Sequence, residues 1–418
     1  MSLREAKGQQ IVKQHANIKR AGDLWLVPSQ SGRGSYKVDP KAKTCTCRDF
    51  EFRQQPCKHI FAAEFLERTQ IITTVTDKRG KTTTTTTETV KVTRQTYAQE
   101  WPAYNKAQTN EKRLFQYLLH QLCQGIGSPS QAGAGRRCLP LEDVIFAMAF
   151  KVYSTVSGRR FMTDLRDAHG KGYLSQLPSY NAMFDYFNME MLTPHLQMLI
   201  EESSLPLAAI EQDFAVDSSG LSTCRFVQWT QAKYTDPQLM EKREWIKVHL
   251  MCGVKTNVVT SVEITDRYAG DSPRFKGLVE ATGKNFYMAQ VSADKAYLSN
   301  ANMQVVFDHH AMPFIPFKSN SVTKDTQNNK KRQSPLWKNM YHFYSYNQER
   351  FMQSYHKRSN VETTFHMIKS KFGDSLRSKA KTAQINEALC KVLCHNICCL
   401  IQSMYELNLK PKFWAAAA

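Results

Sequence analysis

The chain has 418 residues, 42% of them hydrophobic, which allows two or three domains with real cores and excludes a disordered tail. Its 56 Lys and Arg against 37 Asp and Glu leave a formal charge of +19, which points to a polyanionic partner such as nucleic acid, with acidic lipid as the competitor. No apolar run reaches the roughly 18 residues of a membrane span and "MSLREAKGQQ" lacks a signal-peptide core, so a soluble, cytosolic protein is expected.

Residues 1–70 read as a compact unit: strand-like "DLWLVPSQ", a turn at "SGRG", a second strand "SYKVD", a Cys-rich turn and the helix "HIFAAEFLERTQ". Residues 71–98 are threonine-rich and core-less, which predicts a linker with transient extended structure. From 99 to 208 the pattern is helical, and "GIGSPSQAGAG" within it has no strand before it and no Lys-Ser/Thr after it, so a flexible loop is expected there, not a phosphate cradle. In "RRFMTDLRDAHGKGYLSQLPSYNAMFDYFN" a helix, a Gly-containing turn and a second helix with Ser179 as N-cap allow two readings. One is a helix-turn-helix that turns Tyr180 and Asn181 toward DNA; the other is an ordinary helical bundle.

From 209 the period shifts toward two, through "QDFAVDSS", "CRFVQWTQAKY", "WIKVHLMCGV", "VVTSVEIT", "NFYMAQVSAD" and "MQVVFD". One crossing helix lies in "SPRFKGLVEATG", and residues from about 337 to 407 turn helical again. The expected architecture is a multidomain α/β protein with an α/β core over 209–408 and a tail over 409–418.

Eleven cysteines, odd in number and unevenly placed, read as thiols or metal ligands and not as a disulfide framework. "CTCRDFEFRQQPCKH" sets Cys45 and Cys47 against Cys57 and His59, two close pairs that can wrap one tetrahedral Zn²⁺. Chance among so many cysteines is the competing explanation. The spacing, followed at once by a helix, resembles the SWIM zinc finger over residues 20–68. That resemblance implies a structural zinc and a contact with DNA or a protein partner, since four protein ligands leave no open position for catalysis. Cys390, Cys394 and Cys398 also recur at helical spacing, but Leu389, Val392, Leu393, Ile397 and Leu400 surround them, and a core helix is expected.

Three acids form the second constellation. Asp217 ends the predicted strand "FAVDSSG" and Asp294 ends "FYMAQVSAD", placing both at the carboxyl edge where α/β sheets carry chemistry, although a strand-end Asp is also a turn former. Glu362 lies in the basic segment "SYHKRSNVETTFHMIKSKFGD". At about 100° per residue, Tyr355, Arg358 and Lys369 share its helix face, while Val361, Phe365, Ile368 and Phe372 form an apolar stripe. The plain alternative is a surface helix with an Arg358–Glu362 pair worth a few tenths of a kcal/mol.

Tyr355-x2-Arg358-x3-Glu362-x6-Lys369 resembles, without a gap, the Tyr-Arg-Glu-Lys signature of one large group of bacterial and archaeal insertion-sequence transposases. The resemblance covers about residues 140–405, including "IPFKSNS" and "AGDSPRF". It implies an RNase H-like catalytic domain preceded by a helical DNA-binding region over 99–208, with Asp217, Asp294 and Glu362 as a DDE triad. Such a triad would hold two Mg²⁺, or Mn²⁺, about 3.5–4 Å apart for phosphodiester displacement. Arg358 and Lys369 would meet phosphates, Tyr355 the end of the element, and Lys318 of "IPFKSNS" the DNA. The implied activity is cutting the element's own ends and joining their 3′-hydroxyls to target DNA, as a homodimer on DNA in a prokaryotic cytoplasm, near the nucleoid. Alternatives are a catalytically inactive DNA-binding descendant and a structure-specific nuclease. Two features depart from the group: the finger ahead of the catalytic region is unusual, and the 68 positions from Asp294 to Glu362 leave no room for a large insertion subdomain, so hairpin formation is not implied. Trp337 within that stretch would stack on a flipped base or pack in the core.

Overall fold

The computed structural model describes residues 11, 18–21, 24–29, 34–67, 69–76, 82–89, 100–127, 138–223, 244–319, 321 and 334–414. The strand expected in "CRFVQWTQAKY", most of "GIGSPSQAGAG", most of the polar insert after Lys318, the first three residues of "SGRG" and the last four residues of the chain lie outside them. The chain divides into two units, Met1–Gln95 and Thr96–Ala418.

In the first unit β1 (Lys19–Ala21), β2 (Leu24–Pro28), β3 (Ser35–Asp39) and β4 (Thr44–Cys45) form an antiparallel sheet in chain order, followed by α1 (Arg48–Arg53) and α2 (Lys58–Glu67). Gly34, at φ +89°, takes the left-handed conformation that lets the chain return into β3. Val27, Val38, Ile60, Ala62 and Ala63 are buried together with Cys45, Cys47 and Cys57. Three of the nine buried members of this small core are thiols. From the last two residues of the expected finger unit into the expected linker, β5 (Thr69–Thr76) and β6 (Thr82–Thr89) pair antiparallel from Thr69↔Thr89 to Thr76↔Thr82. The β-branched threonines that argued for extended structure thus give a two-stranded ribbon.

The second unit is built on a five-stranded mixed sheet, ordered β11-β10-β7-β8-β9. The strands β7 (Asp213–Ser222), β8 (Trp245–Gly253) and β9 (Val259–Asp266) are antiparallel neighbours. A crossover through α8 (Ser272–Gly283) brings β10 (Gln290–Ala293) parallel to β7, and α9 (Asn300–Asp308) brings β11 (Met312–Phe314) parallel to β10, as parallel pairing requires. Alternation along β7 separates two cores: Phe214 and Val216 pack with Phe275 and Leu278 of α8, and Ala215 and Leu221 pack with the C-terminal helices α12 (Ser359–Phe372) and α13 (Lys381–Glu406).

The second of these cores continues into α3 (Trp101–Gln124), α4 (Leu141–Ser154), α5 (Gly158–Gly170), α6 (Tyr180–Phe187) and α7 (Leu192–Ser204), through Phe115, Phe150, Phe161, Met183 and Leu196. The helical region and the sheet therefore share one core, although residues 99–208 and 209–408 read as separate segments in the sequence. Helix α13 is apolar and long enough to cross a membrane, yet 78% of its most apolar window is buried inside the protein, and Cys390 and Cys394 are fully enclosed there. Asn396 pins this helix to the sheet, accepting from Val259 N at 2.8 Å and donating to Val259 O at 2.7 Å. Ser179 caps α6, accepting from Ala182 N at 3.2 Å, with Asn181 exposed and Tyr180 half-buried beneath Arg159.

Candidate active site

Asp217 is not at a strand end. It is the fifth residue of β7, which runs on to Ser222 because the antiparallel ladder with β8 continues from Asp217↔Leu250 to Ser222↔Trp245. What ends at this level is the parallel neighbour: β10 stops at Ala293, opposite Val216. Asp294 follows at once, so the two acids emerge side by side where the parallel half of the sheet terminates. Asp294 also caps a short 3-10 turn, accepting from Lys295 N at 2.7 Å.

The helix expected to carry Glu362 is broken. After α10 (Pro335–Tyr346), helix α11 (Gln348–Tyr355) ends at Tyr355, a 3-10 turn spans His356–Arg358, and α12 begins at Ser359. Tyr355 and Arg358 keep right-handed helical dihedrals, so tightening changes the pitch without reversing the chain. The apolar stripe Val361, Phe365, Ile368 and Phe372 is buried as its spacing requires. The polar face of this segment lies along β7: Lys357 Nζ reaches Asp213 Oδ2 at 2.6 Å, Arg358 Nη1 reaches Asp217 Oδ2 at 2.7 Å, and Lys369 Nζ donates to Ser219 Oγ at 2.7 Å. Arg358 also reaches Glu362 Oε1 through Nη2 at 2.6 Å, so one guanidinium ties the first acid to the third. The Tyr355 ring lies 5.9 Å from it. Lys391 fixes the far end of α12, donating at 2.8 Å to the carbonyls of Gly373 and Ser375.

Burial pushes the Asp217 carboxyl above its usual range, and the charges of Asp294 and Glu362 push it further; the Ser218 N–H and Arg358 oppose them. The carboxylate is thus drawn out of water, beside two others, and held by a single cation. Carboxylate oxygens are the donor type that a hard divalent cation takes.

A second cluster, not recognised from sequence, lies on the opposite face of β7. Ser218, the neighbour of Asp217, donates through Oγ to Asp271 Oδ1 at 2.7 Å. Lys247 Nζ lies 3.0 Å and the enclosed His249 Nδ1 3.4 Å from the same oxygen. Burial lowers the His249 pKa to about 4. The loop from β9 to α8 is thereby fastened beside the acids, which gives Asp271 of "AGDSPRF" a structural task. Period-two alternation, which sets Ser218 against His249 in register, was the available signal. Lys318 is exposed beyond β11, its N–H donating to Ser321 Oγ at 3.1 Å, and no described hydrogen bond or ion pair joins it to the acids. Trp337 packs edge-on against Phe317 with 9% exposure, the packing alternative of its two readings.

In the first unit the end of β4, the start of α1 and the start of α2 bring Cys45, Cys47, Cys57 and His59 together, with all ligand atoms within 4.8 Å of one another. His59 Nδ1 lies 4.0 Å from Cys45 Sγ and 3.8 Å from Cys57 Sγ. Tetrahedral Zn²⁺ with bonds of about 2.0–2.3 Å spaces its ligands roughly 3.5–3.8 Å apart, so a small inward shift completes the site. A hydrogen bond from Cys45 holds the Cys57 thiol down to about 3, and the same bond pushes Cys45 up. Three sulfur donors and one imidazole nitrogen in this arrangement fit the metal.

The family model described as a transposase DDE domain matches residues 209–397, and that of the SWIM zinc finger matches residues 36–66. No curated protein matches the chain. The 209–397 match spans Asp217, Asp294 and Glu362, and the 36–66 match spans all four residues of the Cys/His cluster. The chain joins an N-terminal SWIM zinc finger to a transposase DDE domain.

Proposed function

We propose that this protein is a metal-dependent transposase that cuts the ends of its own insertion sequence and joins the freed 3′-hydroxyls to target DNA. The observation that carries the proposal is Arg358 held between Asp217 of β7 and Glu362 of α12, with Asp294 following β10 at the level of Asp217. The order of the mixed sheet supports an RNase H-like catalytic region over 209–408, which rests on the helices of 99–208. Mg²⁺ or Mn²⁺ held by the three acids would supply activation of the attacking oxygen and stabilisation of the leaving one.

The chain's own residues do the positioning. The Ser218 N–H holds Asp217 Oδ1 at 2.8 Å, and the Asp271 cluster anchors the loop behind it. Arg358, Lys369 and Lys318 would grip phosphates, and Tyr355 would meet the end of the element. Hydrolysis at each end frees a 3′-hydroxyl, and that hydroxyl then displaces the 3′-oxygen of a target phosphodiester. Cutting two ends calls for a homodimer on DNA, at the nucleoid of a prokaryotic cytoplasm. Cys45, Cys47, Cys57 and His59 would hold a structural Zn²⁺, and the finger would add a tethered DNA contact.

The test is incubation of the full chain with duplex DNA bearing the element's own ends. Cutting at the element boundary with Mg²⁺, and none with EDTA, supports the proposal. Binding without cutting under any divalent metal contradicts it.

A further inference from the structure

We propose that Arg358 is a resident counter-ion of the acid site: its guanidinium lies between Asp217 and Glu362, and a divalent cation taken up by these acids must displace it. The inference rests on reading Asp217, Asp294 and Glu362 as metal ligands.

Both oxygens of Asp217 are engaged: Oδ1 accepts from Ser218 N at 2.8 Å and Oδ2 from Arg358 Nη1 at 2.7 Å. The second arm of the fork, Nη2, holds Glu362 Oε1 at 2.6 Å. A guanidinium is planar and spreads its acceptors along its edge, while Mg²⁺ gathers oxygens to about 2.0–2.1 Å around one centre. Asp217 Oδ2 and Glu362 Oε1 cannot satisfy both arrangements at once.

Burial divides the two arms. The Arg358 and Asp217 side chains are 19% and 22% exposed, whereas Glu362 is 55% exposed. An unpaired carboxylate at Asp217 would be costly, so the arm to Asp217 is the stronger hold, and the arm to Glu362 releases first. Arg358 also closes the 3-10 turn between α11 and α12, a junction where a small backbone change redirects a side chain. Once displaced, its fork stands beside the site without a carboxylate partner, and a DNA phosphate is the bidentate acceptor that fits it. Metal arrival and phosphate contact then favour one another, because one residue cannot serve the acids and the DNA together.

The experiment is Mn²⁺ titration of the zinc-loaded full chain without DNA, followed by calorimetry and by the spin-resonance signal of free Mn²⁺. Arg358→Ala and Arg358→Gln should each bind Mn²⁺ about three- to tenfold more tightly than the natural chain. Lys276→Ala removes an exposed cation of α8, paired with Glu280 and outside the acid site, and should leave the affinity unchanged. Unchanged or weaker binding in both Arg358 variants overturns the proposal. Equal tightening in Lys276→Ala also overturns it, because bulk charge would then explain the effect. Asp217→Asn separates the two levels: if Mn²⁺ binding survives it undiminished, the metal reading itself fails.

Discussion

Lys369 donates a hydrogen bond to Ser219 at 2.7 Å, two residues beyond Asp217 on the same face of β7. With Arg358 on Asp217 and Lys357 on Asp213, this makes a row of cations that locks the helix of Glu362 along the strand of Asp217. Lys369→Ala, and Arg358→Ala when a divalent metal is present, should each flatten the salt dependence of DNA binding by about one counter-ion unit. Fluorescence titrations across a salt series would read this, and unchanged slopes in both variants would make these residues purely structural.

Loss of zinc should act locally. Cys57→Ser with His59→Ala removes two of the four clustered ligands. A core as small as that of residues 36–66 should then become protease-sensitive while residues 99–408 stay protected. Metal analysis with limited proteolysis would show it, together with weaker binding to long DNA and near-normal cutting of a short substrate at saturation. A double variant that keeps a protease-resistant finger would refute the zinc assignment.

Acid should destabilise the second unit through its enclosed histidines. Burial lowers His249 and His395 to about 4 in the folded chain, below the roughly 6.5 of an unfolded histidine. Between those values the unfolded state binds more protons, so stability rises with pH across the window and is lost as pH falls from about 6.5 toward 4. Each histidine accounts for about 3 kcal/mol at most. His395→Gln can keep the donation to the Asn257 carbonyl without titrating. Its melting temperature, compared with that of the natural chain, should gain ground steadily between pH 7 and pH 5; a difference independent of pH would rule the mechanism out.

The stripe under Glu362 is a packing feature with a functional consequence. Ile368→Ala opens a cavity in the core beneath α12, which should cost about 2–5 kcal/mol and reduce cutting by loosening Glu362. Denaturant unfolding and cleavage assays on the same preparation would check both. Full activity with the expected loss of stability would show that the site tolerates helix movement.

The Cys and His spacing and most of the period-two strands were legible because local periodicity and fixed spacing carry them. The strand expected in "MQVVFD" is instead the second half of α9, capped by Ser299, and the strand itself follows at Met312–Phe314; a short apolar run does not separate a buried strand from a buried helix. The continuation of β7 past Asp217 was not legible, since it depends on a partner strand whose nearest residue in register, Trp245 opposite Ser222, lies more than 20 positions away. The 3-10 turn at His356–Arg358 is equally silent in sequence: its residues are all compatible with an α-helix, and tertiary contacts to Asp213 and Asp217 set the tighter pitch. Asp271 stood in a motif quoted for its resemblance, but its partners Ser218, Lys247 and His249 come from two other strands. The shared core of the helices and the sheet was hidden for the same reason, because α13 follows the strands in sequence yet packs among the helices that precede them.

Glu362→Gln gives the most direct measurement, because it keeps the size of the side chain and the helix while removing one charged ligand. The natural chain and the variant would be compared at saturating protein on duplex DNA carrying the element's own ends, with Mg²⁺, reading both end binding and the appearance of free 3′-hydroxyls. The variant should bind the ends and cut them orders of magnitude more slowly. Cutting by Glu362→Gln at close to the natural rate would contradict the assignment of Asp217, Asp294 and Glu362 as the site of phosphodiester chemistry.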